Sequence, residues 1–76
     1  MRLAPTRVGR VSTYFFRVVE QDDGSWLCRR GREEFDFHAQ LDDAIEHTIG
    51  IASEDPPSEV FIHHRDGRVQ NIATLD

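Results

Sequence analysis

The chain has no lysine, a single cysteine, and no apolar run near the roughly 20 residues that a membrane helix needs. Each absence excludes something. Cys28 has no second cysteine within the chain to pair with, so no internal disulfide braces the fold, and a lone thiol fits a reducing, cytoplasmic setting. Glycines 24, 31, 50 and 67 are scattered and form no phosphate-cradling loop. Ser25, Ser53 and Ser58 fall in turn or loop sequence, none in a nucleophile elbow. The opening Met1–Arg7 stretch has basic residues without a following apolar core, so it does not read as a secretory signal.

What is present is one small domain's worth of sequence. At 76 residues the chain suffices for one domain and is short for two. A chain of this size buries about 60% of the surface exposed when unfolded, which leaves little stability to spare. Association with a copy or a partner would add to it.

All nine basic residues are arginine, against fourteen acids, for a net charge of −5. Arg2, Arg7 and Arg10 lie in a first dozen residues free of Asp and Glu. From residue 13 onward six Arg face fourteen acids, a net −8. We therefore divide the chain into a basic, irregular arm over 1–12 and an acidic α+β domain over 13–76. The acidic body disfavours unspecific contact with phosphate backbones or anionic membranes.

Thr13–Glu20 is dense in aromatic and β-branched residues and reads as a strand, apolar on both faces and so central in a sheet. Asp23-Gly24 signals a hairpin turn. Trp26–Arg30 is the return strand. Gly31 reads as a bulge, after which the same strand resumes through Glu33–His38 with Phe35 and Phe37 on one face.

Leu41, Ala44, Ile45, Thr48, Ile49 and Ala52 recur at helical spacing, and Pro56-Pro57 ends that helix. Asp42 and Asp43 fall in its first turn, where they complement the helix dipole, but Ala39-Gln40 offers no strong cap. A second hairpin follows: Glu59–His64, a turn over Arg65–Arg68, and Val69–Ala73. The expected order is strand-strand-helix-strand-strand, two antiparallel hairpins with one helix on one face of the sheet.

One helix covers one face. Yet Phe15 and Val19 oppose Phe16 and Val18, and Phe61 and His63 oppose Val60 and Ile62. An apolar face is left over, and such faces usually mark an interface.

Three features together resemble a known pattern. They are Gly24 followed by Trp26 in the first hairpin, the helix opening Asp42-Asp43-Ala44-Ile45, and the closing run His63-His64-Arg65-Asp66-Gly67-Arg68. From Phe16 to about Val69 the chain resembles the small bacterial proteins grouped as domain of unknown function 2188. Gln40 stands where that pattern usually has a capping Thr. The resemblance implies the strand-strand-helix-strand-strand fold and implies no activity, cofactor or partner.

His63, His64 and Asp66 are close in sequence, with His38 and His47 as further imidazoles that a fold could bring near, but His63 and His64 are neighbours on a strand, point to opposite faces, and so cannot chelate one ion. No other ligand pair has metal spacing, and we expect no catalytic residues, metal or cofactor. The leading expectation is a non-enzymatic, protein-interaction module, self-associating through the sheet face or an edge strand. The alternative is a nucleic-acid-binding accessory using the basic arm and the Arg29, Arg30, Arg32 cluster beside Trp26. Candidate partner-binding residues are Arg17, Trp26, Arg29, Arg30, Arg32, Phe61 and His63.

Overall fold

The computed structural model describes residues 13–76. The expected arm over 1–12 lies outside those residues. The elements are β1 (Tyr14–Glu20), β2 (Trp26–Arg30), β3 (Glu33–His38), α1 (Leu41–Ala52), β4 (Ser58–His63) and β5 (Val69–Leu75). The class is α+β as expected: one sheet with a single helix packed against it.

The strand count differs from the sequence reading. Gly31 has φ +58, and Gly31-Arg32 turns the chain back, so that Arg30 pairs with Glu33 in an antiparallel ladder. The stretch read as one interrupted strand is two strands of a hairpin. A glycine at positive φ serves a two-residue turn as readily as a bulge, and its alternating flanks suit either.

The sheet order is β3-β2-β1-β4-β5. Sequential hairpins build both flanks, while the centre is a parallel pairing of β1 with β4, from Tyr14 opposite Ser58 to Val19 opposite His63. The chain reaches that pairing through α1, which crosses from the edge strand β3 to the inner strand β4. β1 is central, as its two apolar faces suggest.

Register assigns the faces. Phe16, Val18, Cys28, Val60 and Ile62 lie beneath the helix, each 4% exposed or less. Ala44, Thr48 and Ala52, one helical turn apart, are fully buried against them. Their small side chains let the helix backbone come close, and the Cys28 thiol reaches the Ala44 carbonyl at 3.6 Å. Leu41, Ile45 and Ile49 flank this line. The Gln40 side chain makes no capping bond, and Asp42 and Asp43 occupy the first turn.

Each outer ladder carries a bulge. Cys28 pairs with Asp36 and Arg29 with Glu34, which leaves Phe35 as an extra residue. Val60 pairs with Ala73 and Phe61 with Asn71, leaving Ile72 extra. The first bulge separates two residues expected on one face. Phe35 turns toward the helix and stacks on Phe16, with ring centroids 6.2 Å apart, while Phe37 stays outside and is 59% exposed.

The open sheet face and a polar cluster under the helix

The face away from the helix is organised by the same registers. Phe37, Leu27, Val19, His63 and Val69 are successive cross-strand partners and form a row spanning all five strands. A parallel row runs Glu34, Arg29, Arg17, Phe61, Asn71. Phe15 and Glu59 begin a third. Phe15 and Phe61 approach with ring centroids 6.1 Å apart. Phe15, Phe37 and Val69 are each more than half exposed. A shallow hollow opens between Phe15, Arg17, Gly31, Phe61, His63 and Val69.

Arg17 and Arg29 are directly opposed, a like-charge pair that costs about 0.2–1 kcal/mol in isolation. Both guanidinium groups donate to the carbonyl of Gly31, at 3.1 and 3.0 Å, and Arg29 also lies 3.8 Å from Glu34. The β2–β3 turn thus holds two cations side by side on the open face. Burial and the nearby Arg17 charge both lower the His63 pKa, burial more, so its ring favours the neutral form there.

The remaining candidates do not join this face. Arg30, one residue along the strand from Arg29, points to the helix side. There it pairs with Glu33 at 2.9 Å and Asp55 at 3.5 Å and lies over the Tyr14 ring. Trp26 is half-buried on the helix side and meets the edge of His64. Arg32 is exposed at the β2–β3 turn. The cluster Arg29, Arg30, Arg32 that is contiguous in sequence is divided in space, because successive strand residues alternate faces.

Sequence reading missed a second constellation, assembled from β2, β3 and α1. Asp36 and His38 stand two apart on β3, with Cys28 opposite Asp36 on β2 and His47 above them on the helix. His38 Nε2 lies 3.2 Å from His47 Nδ1. The Asp36 carboxylate is 3.2 Å from His38 Nε2 through Oδ1 and 2.9 Å from His47 Nδ1 through Oδ2. The Cys28 sulfur, an Asp36 oxygen and a His38 nitrogen all fall within 4.8 Å of one another. Asp36 Oδ1 is buried and makes no hydrogen bond among the described residues. Burial raises the Cys28 thiol pKa, the Thr48 hydroxyl partly offsets that, and the Asp36 charge adds to it. The one available signal was Asp36-x-His38, since residues two apart on a strand share a face.

A five-stranded mixed sheet with one covering helix defines the class: a small α+β domain. Residues 16–74 match the family described as an uncharacterised protein conserved in bacteria, DUF2188, and the chain belongs to that family. No curated protein and no solved structure matches the chain. Among the described residues, no helix is long and apolar enough to cross a membrane.

Proposed function

We propose that the protein is a cytoplasmic, non-enzymatic interaction module that self-associates face to face through the open side of its sheet. The observation that carries this is the five-strand row from Phe37 to Val69, with Phe15 and Phe61 beside it. In and beside that row Phe15, Phe37 and Val69 are more than half exposed and gain from removal from water at roughly 25 cal/mol per Å², while Leu27 is already buried within the chain.

Charge supports a second copy as the occupant. The chain as a whole carries −5, yet the rows of this face set Arg17 and Arg29 against Glu34 and Glu59. Two such faces meet without net repulsion. A two-fold arrangement brings each arginine pair to the other copy's carboxylates, which relieves the Arg17–Arg29 opposition. The lone thiol of Cys28 supports the cytoplasmic placement.

Sedimentation equilibrium at micromolar concentration tests the reading. We expect a dimer for the wild-type chain. Phe15→Asp and Phe37→Asp, both at exposed positions, should give monomers with unchanged far-UV circular dichroism. A wild-type chain that sediments as a monomer overturns the proposal.

A further inference from the structure

We propose that Cys28, Asp36, His38 and His47 form a structural site for one divalent transition-metal ion of the zinc type. The donor set is one thiolate, one carboxylate and two imidazoles, which are the ligand types zinc takes. The ligands come from three elements that meet at the β3–α1 corner. This inference is independent of the open face, which lies on the other side of the sheet.

Geometry makes the case. In a tetrahedral site with bonds of about 2.0–2.1 Å, nitrogen and oxygen ligand atoms lie about 3.3 Å from each other. The three edges joining Asp36, His38 and His47 measure 2.9, 3.2 and 3.2 Å. The two imidazole nitrogens stand one edge length apart, and the carboxylate faces both, Oδ1 toward His38 and Oδ2 toward His47. Cys28 makes a second triangle on the shared Asp36–His38 edge, within 4.8 Å. A sulfur at about 2.3 Å from zinc stands about 3.6 Å from a nitrogen ligand, so closing the site draws Cys28 inward toward His38 and toward His47, which lies outside that triangle.

The carboxylate is the independent sign. Asp36 Oδ1 is a buried atom with no hydrogen bond among the described residues, on a side chain 37% exposed overall, and its one close polar neighbour is the His38 ring. An imidazole nitrogen stands 3.2 Å from it without forming a hydrogen bond. One cation placed among the lone pairs satisfies all of them together. Binding displaces the Cys28 proton, which leaves to solvent as the thiolate bonds to the ion. Four protein ligands leave no open position, so the role is to fasten α1 to β3 and not to activate a substrate. A small chain without disulfides gains most from such a fastening.

The test uses the full chain, freed of metal with chelator and titrated with Co(II). We expect saturation at one equivalent, tetrahedral-strength visible bands, a near-ultraviolet thiolate-to-cobalt band, and displacement of the cobalt by Zn(II). Cys28→Ser should remove the thiolate band. His47→Gln changes a side chain 42% exposed, which keeps the fold intact, and should weaken zinc binding by about tenfold or more. Zinc should also raise the melting temperature of the wild-type chain and not that of His47→Gln. Absence of saturable binding by folded, metal-free wild type overturns the proposal. So does binding that both variants leave unchanged, which would assign the ion to His63 or His64.

Discussion

The two faces of this sheet use similar residues to different ends. Phe16 and Phe15 are neighbours on β1, and Val60 and Phe61 are neighbours on β4. Phe16 and Val60 are fully buried beneath α1, whereas Phe15 is 52% exposed on the other side. Hydrophobic character alone does not mark the core here. What separates the faces is the one helix and the direction each side chain takes from an alternating strand. The covered face accounts for the fold of a single chain, and the open face leaves Phe15, Phe37 and Val69 more than half exposed.

The largest expected effect breaks this contrast directly. Phe16→Ala removes a fully buried ring that stacks on Phe35 and should cost about 3–5 kcal/mol, enough to unfold a chain this small. Phe37→Ser, two strands away on the edge strand β3 and the exposed side, should change monomer stability by no more than about 0.5 kcal/mol. Urea denaturation at a concentration where the protein is monomeric compares the two. Equal losses would mean that the open face is part of the single-chain core.

A smaller effect sharpens the same boundary from the solvent side of the helix. Gly50 is exposed on α1, and a methyl group added there would meet nothing within 4 Å. Gly50→Ala should raise stability by about 0.5–1 kcal/mol through helix propensity. Self-association should be unaltered, as read by sedimentation.

The smallest effect concerns pH and belongs to the open face. The folded pKa of His63 is lowered, so the unfolded chain binds the proton more readily. Stability from this residue is complete above the unfolded value of about 6.5 and is lost as pH falls through the folded one. The urea midpoint of the wild type should therefore fall more steeply than that of His63→Gln between about pH 7 and 5. The rest of the chain cancels in that difference. Identical slopes would mean that His63 is not shielded on this face.

Much of this architecture is legible in the residues. The 3.6-residue recurrence from Leu41 to Ala52 marks the helix within its observed bounds, and Asp23-Gly24 and Asp66-Gly67 mark two turns. The leftover apolar face follows from alternation in β1 and β4. Local pattern fails where the structure depends on pairing. Gly31 reads as a bulge or bend within one strand until Glu33 is seen opposite Arg30. The positions of Phe35 and Ile72 depend on bulges that no single strand announces. The parallel union of β1 with β4 is a long-range choice made by the crossover. The candidate metal ligands were hidden for the same reason: His47 joins Asp36 and His38 only when the helix folds back, and Cys28 only when β2 and β3 pair.

The two bulges have a consequence for how copies of this chain can meet. β3 and β5 are the outermost strands, and the extra residue of each bulge, Phe35 and Ile72, lies on an outermost strand. A bulge bends and twists its strand and spoils the regular row of free amides and carbonyls along its rim. Neither rim is then a good template for a further strand. Growth edge to edge, which has no natural end, is discouraged at both sides of the sheet. Meeting through the broad face is a closed operation that finishes at two. The same kinks that deliver two apolar side chains to the interior also leave both rims of the sheet poor starting points for a fibre.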